Sequence, residues 1–251
     1  MKIGICVLAT NAYFVLGIRF IKRFMRFYKG DKEIVFYLFT DTDPKDYLPE
    51  GINCEFIYTK NSGWVEGVNL KFSSILKLGS RGVDYLFFFD ADTNIYRSFT
   101  EEWFLGESVA GQHFGDQSWM KHEKSYDRNP RSTAYVPIDT TLPQMYFYGA
   151  FWGGSKDWTL SFCRTMLEWQ KANREWGYEP PVNDESYSNK FFHFNPPSRV
   201  VMCPDFKFVI SDKGSIDNMR GGGKNIEEIR RRLLEWKNEP INIVEGRAIR
   251  D

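Results

Sequence analysis

The chain has 251 residues, 42% of them hydrophobic, with 22 Phe, 13 Tyr and 8 Trp, enough apolar mass for one large core or two small ones. Lys plus Arg and Asp plus Glu balance at 33 each, which excludes the basic footprint of a nucleic-acid binder. Cys6, Cys54, Cys163 and Cys203 are scattered without a Cys-x-x-Cys pair or zinc spacing, so reduced thiols in a cytosolic compartment are expected, and no apolar run approaches the roughly 18 residues that cross a bilayer.

Lys2 to Ala9 is a short apolar run, too brief for a signal-peptide core, and reads as a first buried strand. From Tyr13 to Tyr28 the apolar residues Phe14, Ile18, Ile21 and Met25 recur at helical spacing, with Arg19, Lys22, Arg23 and Arg26 between them as a solvated basic face. Gly30-Asp31 marks a turn before a second strand, Ile34 to Thr40. Asp41-Thr42-Asp43-Pro44 then reads as turn chemistry. A third strand is expected over Cys54 to Tyr58, and a helix over Leu70 to Leu78 that stops near Gly79.

Tyr85 to Phe89 is a run of five apolar residues ending in Asp90-Ala91-Asp92. Without polar alternation it reads as a strand buried on both faces, the state of a central parallel strand. Ligands of open α/β sheets bind just beyond the carboxyl ends of such strands. In extended backbone, residues i and i+2 point the same way, so both carboxylates could face one metal ion or ligand. With 16 Asp in the chain, an Asp-x-Asp arises by chance about once, and spacing alone leaves a solvated strand end equally open. The order strand, helix, strand, strand, helix, strand up to Asp90 is that of a nucleotide-binding α/β half.

Residues 106–145 read as a polar, loop-rich stretch holding His113, Ser125, Tyr126 and Arg128. Tyr146 to Gly154 sets small residues among aromatics, the mark of close backbone approach to a ligand or of a bulged strand. Trp158 to Trp169 is an amphipathic helix. Asp184 and Glu185 stand where another helix should begin, a place where acidic residues ordinarily complement the helix dipole. Gly221-Gly222-Gly223 reads as a hinge, followed by a helix capped by Asn225 and running to Trp236.

Val7-Leu8-Ala9-Thr10 with Tyr13, Phe39-Thr40-Asp41, Trp64, Asp84 to Phe87 with Asp90-Ala91-Asp92, Ser132-x-Ala134-Tyr135-x-Pro137, Tyr146 to Gly154, and Asp184-Glu185-Ser186-x-x-x-Asn189-Lys190 stand in one order. As an ordered set over roughly residues 2 to 215 they resemble glycosyltransferase family six, which includes the blood-group A and B transferases and α-1,3-galactosyltransferases. The resemblance implies an α/β GT-A fold, with a Rossmann-like nucleotide-binding sheet and a continuous acceptor-binding part. It divides one catalytic domain into a UDP-binding half (1–95), a donor-sugar and acceptor half (96–212) and a basic C-terminal segment (213–251). It further implies retaining transfer of a hexose from a UDP-sugar to an oligosaccharide or glycolipid, in α-1,3 linkage to a galactoside.

By the same resemblance, Leu8, Ala9, Thr10 and Tyr13 would hold the nucleotide. Asp90 and Asp92 would hold Mn²⁺ or Mg²⁺, whose charge offsets that of the departing diphosphate. Lys213 and Arg220, with Lys224, would reach the pyrophosphate. Glu185 would be the catalytic carboxylate. Asp184, Lys71, Tyr148, Gly149 and Ala150 would meet the donor sugar, and His113 and Ser125 the acceptor. Ala150 stands where galactose users carry Ala and where Gly admits an acetamido group, which favours galactose, then glucose. Two positions depart from the family pattern: Lys71 replaces an Arg, losing a planar fork, and Asn183 replaces a His.

Since the first strand begins at residue 2, a soluble cytoplasmic protein of microbial or viral type without a transmembrane segment, or else an excised catalytic domain, is expected. Two other functions stay open at this point, a UDP-sugar hydrolase and a non-catalytic sugar-nucleotide or glycan-binding module.

Overall fold

Unbroken apolar runs make the spine of the molecule. The computed structural model describes residues 1–60, 64–113, 126–138, 145–202 and 208–210, with the backbone alone at 64–69 and 208–210. The elements run β1 (Lys2–Leu8), α1 (Tyr13–Phe27), β2 (Glu33–Thr40), β3 (Cys54–Tyr58), α2 (Trp64–Leu76), β4 (Tyr85–Asp90), β5 (Thr93–Ile95), β6 (Ser108–Gln112), β7 (Phe147–Ser155), α3 (Lys156–Glu175), α4 (Asn183–Phe194), β8 (Arg199–Val201) and β9 (Phe208–Ile210). Seven strands form one sheet in the order β3-β2-β1-β4-β7-β6-β8, and β5 pairs with β9 apart from it.

β1, β2, β3 and β4 are mutually parallel where they pair, whereas β7 runs antiparallel to both β4 and β6. The expected parallel setting of β4 therefore holds on one side only. Its burial on both faces holds fully: Leu86, Phe87, Phe88 and Phe89 are each at most 1% exposed. The chain builds outward from β1 through β2 to β3, then returns to β4 on the opposite side of β1. That reversal opens a crevice between the carboxyl ends of β1 and β4. The register puts Leu8 beside Asp90 across it.

Two cores flank the sheet. On one face α1 presses Phe14, Ile18, Phe20, Ile21 and Phe24 against Ile5, Val7, Phe36 and Phe89. On the other, residues of α2, α3 and α4, among them Phe72, Phe162, Met166 and Phe192, pack on Cys6, Tyr37, Phe88 and Trp152.

Several sequence expectations shift. Met25 is 37% exposed, and Phe20, Phe24 and Phe27 complete the buried stripe of α1 instead. α2 starts at Trp64 rather than Leu70, through Gly67 and Asn69, whose low helix propensity hid the first turns. α3 spans 20 residues, beyond the expected Trp158–Trp169, and Ser155 accepts a hydrogen bond from the Trp158 N–H at its start. The stretch read as loop contains β6, which is short and lies beside the glycine-rich β7. Asp41 and Asp43 do serve a turn: their carboxylates accept from the backbone N–H groups of Asn11 and Lys45. The glycine hinge and the helix expected after Asn225 lie outside the described residues.

Candidate functional site

Four carboxylates gather at the crevice. Asp90 closes β4, and Asp92 follows in the turn before β5, not in continued extended strand as expected. The two still sense one another. Burial and the neighbouring Asp90 charge push Asp92 up to about 6. Asp184 and Glu185 occupy the first turn of α4. α4 is entered through Asn183 at φ 41°, a left-handed conformation that Asn tolerates better than most residues.

Lys71 ties the two pairs together. Its ammonium lies 2.6 Å from Asp184 and 3.6 Å from Asp90, and sits 4.8 Å from the centre of the Phe88 ring. Both Lys71 and Asp184 are 5% exposed. Burial alone would disfavour the lysine charge, but the carboxylates of Asp184 and Asp90 outweigh it and push the lysine above its ordinary value. Lys71 is therefore a fixed cation at working pH.

Glu185 is held by backbone. The Gly149 N–H donates to its Oε2 at 2.7 Å, and the nearby Tyr146 hydroxyl favours the charged form of the same carboxylate. Glycine at 149 is required by this approach, since a Cβ there would stand 2.9 Å from Oε2 and 3.2 Å from the glutamate Cβ. Burial pushes Glu185 up to about 7, against the lowering effect of the Gly149 bond. A carboxylate that is kept dry yet hydrogen-bonded in its charged form is reactive at neutral pH.

The remaining candidates fall around this centre unevenly. Leu8 and Thr10 are half-exposed at the end of β1, whereas Ala9 is fully buried under α1, so only its backbone can face a ligand. Tyr13 opens α1 at the same edge. Of the β7 candidates, Gly149 and Ala150 are buried and Tyr148 is the one presenting side-chain surface. His113 stands edge-on to Tyr148, ring centres 5.0 Å apart, beside the β7 candidates. Ser125, Lys213, Arg220 and Lys224 lie outside the described residues.

Arg19 was missed by sequence reading. Helical spacing puts it on a solvated face, yet its charge acts on Asp92, while Arg23, one turn on, donates to the Ile95 carbonyl at 3.0 Å. The i, i+4 spacing of these two arginines was the available signal that one face of α1 turns toward β5. Among the described residues, no group of three or more His, Cys, Asp and Glu forms a metal cage. No helix among them is long and apolar enough to cross a membrane.

Comparison with known proteins agrees with this geometry. The chain is 29% identical over 216 residues to the globoside alpha-1,3-N-acetylgalactosaminyltransferase 1 of Gallus gallus, covering 80% of this chain and 60% of that protein. It is 26% identical over 211 residues to the histo-blood group ABO system transferase 2 of Rattus norvegicus, covering 79% and 61%. It is 27% identical over 199 residues to the O-antigen biosynthesis glycosyltransferase WbnI of Escherichia coli, covering 71% and 80%. The chain thus spans about three fifths of the chicken and rat relatives. The model of glycosyltransferase family 6 matches residues 1–220. With its mixed α/β sheet and carboxylate-lined crevice, the chain belongs to glycosyltransferase family 6.

Proposed function

We propose that the protein is a retaining, divalent-cation-assisted hexosyltransferase. It would move a hexose, galactose in preference to glucose or N-acetylgalactosamine, from a UDP-sugar to a glycan acceptor, in α-1,3 linkage to a galactoside. The observation that carries this reading is the row Asp92, Asp90, Lys71, Asp184, Glu185 across the mouth of β4. Four carboxylates face two described cations, Lys71 and Arg19. A crevice with that balance repels a diphosphate unless a further cation is present.

The donor set fits such an ion. Asp90 and Asp92 are hard oxygen ligands of the kind Mn²⁺ and Mg²⁺ take, with phosphate oxygens completing the shell. Burial first, and then the neighbouring Asp90 charge, raise Asp92, and a bound cation would offset both. When bound, the ion would neutralise charge on the leaving diphosphate.

The chain's own residues supply the rest. Leu8, Thr10 and Tyr13 line the nucleotide edge beside Asp90. Lys71 and Asp184 would orient donor hydroxyls, Lys71 as a point charge where a guanidinium would have made two parallel bonds. Glu185, fixed by Gly149, would face the anomeric carbon and stabilise the positive charge that grows there. Tyr148 and Ala150 would limit the space at the sugar 2-position, and one methyl discriminates by about 1–3 kcal/mol. His113 would lie toward the acceptor. The chain leaves β9 at Ile210, opposite Thr93 and one residue from Asp92, which supports basic residues beyond it, Lys213 first, as pyrophosphate partners.

The test is UDP release from UDP-galactose, UDP-glucose and UDP-N-acetylgalactosamine, with Mn²⁺ or EDTA and with or without lactose. Release that needs both Mn²⁺ and lactose is expected. Release regardless of lactose would mark a hydrolase, and none under any condition would leave a binding module.

A further inference from the structure

The strand that carries Gly149 is not held by its sheet neighbours there. β4 pairs with β7 only as far as Phe89 opposite Phe151. β6 pairs with Trp152 to Gly154 and again with Phe147, after a register shift. Gly149 and Ala150 thus stand outside the register of both ladders among the described residues. This break frees the Gly149 N–H to serve Glu185. It also interrupts the regular ladder that normally keeps a strand in place.

Asn189 fills the gap. Its Oδ1 accepts the Phe147 N–H at 2.7 Å, and its Nδ2 donates to the Phe147 carbonyl at 2.8 Å. That closed pair is what a neighbouring strand residue would offer. The same Nδ2 donates to the Glu185 carbonyl, one turn back on α4, at 2.9 Å. Asn189 is 0% exposed. One amide side chain therefore grips β7 just before its break and α4 at the residue whose carboxylate the break receives.

We infer that Asn189 is a positioning residue for Glu185: it replaces the missing sheet partner and holds the Gly149 N–H and the glutamate carboxylate in register. The inference rests on the reading of Glu185 as the catalytic carboxylate. Asn189 contacts no expected substrate, so its removal acts on the chemical step and spares donor binding, which Asp90, Lys71 and the β1 edge provide. Misplacement of a reacting group by an ångström lowers turnover about 10²-fold.

Three variants decide it, each assayed with UDP-galactose, lactose and Mn²⁺, with deuterium uptake of backbone amides followed in parallel. Asn189→Leu, close in size and without hydrogen-bonding atoms, is expected to lower kcat about 10- to 100-fold while KM for UDP-galactose stays within about twofold. Its amides at 146–150 and 183–190 should exchange faster, with those of β1 and β4 unchanged. Asn189→Asp keeps the acceptor for Phe147 and loses both donors. It should fall between wild type and Asn189→Leu, and takes over both readouts if Asn189→Leu does not fold. Glu185→Gln is the reference for the site itself. Wild-type kcat in folded Asn189→Leu beside an inactive Glu185→Gln overturns the positioning role alone. So does a joint change in kcat and KM with faster exchange everywhere. Wild-type turnover in Glu185→Gln overturns the catalytic reading, and the positioning role with it.

Discussion

Asp90 and Glu185 reach the same crevice by different physics. Asp90 is delivered by the sheet: β4 is paired along its length with β1, Leu8 stands beside Asp90, and a wholly apolar strand has one favourable depth in the core. Glu185 is delivered by side chains. It hangs from the first turn of α4 against a strand that has left its ladder, and Asn189 and Gly149 set the spacing. The first arrangement is redundant, spreading position over many backbone bonds. The second concentrates it in a few groups, so single substitutions should separate the two regions.

The largest effect is expected at their junction. Lys71→Met leaves Asp184 buried without its counter-ion, a loss of about 3–5 kcal/mol in unfolding free energy, read from urea denaturation. If stability is unchanged, the two regions are not joined through this ion pair. Next, Glu185→Gln should cut transfer from UDP-galactose about 10²–10³-fold while the protein still folds, measured by UDP release and thermal unfolding. Asp90→Asn or Asp92→Asn should weaken Mn²⁺ binding, followed by the ion's own magnetic resonance. The loss should be no less than the ~10–100-fold that even an outer-shell partner is worth.

A pH series sharpens the contrast. Glu185 is raised in the folded state from 4.5 to about 7 by burial, so folding favours its protonated form. Its contribution to stability is therefore most favourable below pH 4.5 and declines as pH rises to about 7. On the proposed role of Glu185, activity needs the carboxylate charged and should rise over the same interval. The difference in melting temperature between wild type and Glu185→Gln isolates this group, and a difference flat with pH would contradict the burial. The smallest effect is expected at Met25→Lys, within about 0.5 kcal/mol of wild type, because Met25 faces solvent.

Apolar runs made β1, β2 and β4 readable, since a strand buried on both faces has few alternative fates, and β3, half-exposed at the sheet edge, keeps the expected span Cys54–Tyr58. Helical spacing made α1 readable, although it assigned Met25 to the core. β6 was not readable: five residues with a small Ala-Gly center resemble loop until β7 and β8 are placed on either side. Asp90 and Asp92 announced themselves by following Phe87 to Phe89. Arg19 did not, because its charge matters only once α1 is docked against β5. Asn189 was legible merely as part of an ordered motif.

What the residues determined unaided is the nucleotide-type half: its succession of strands and helices, its buried spine and the carboxylates at its mouth. Period and hydrophobicity are local properties, and they suffice where each strand is apolar throughout. Only the folded chain decided that Lys71 joins Asp90 to Asp184, that Gly149 holds Glu185, and that Asn189 takes the place of a missing strand. Those contacts span 19 positions for Lys71–Asp90, 113 for Lys71–Asp184, 36 for Gly149–Glu185 and 42 for Phe147–Asn189, separations set by packing. No local pattern encodes a distance across the core.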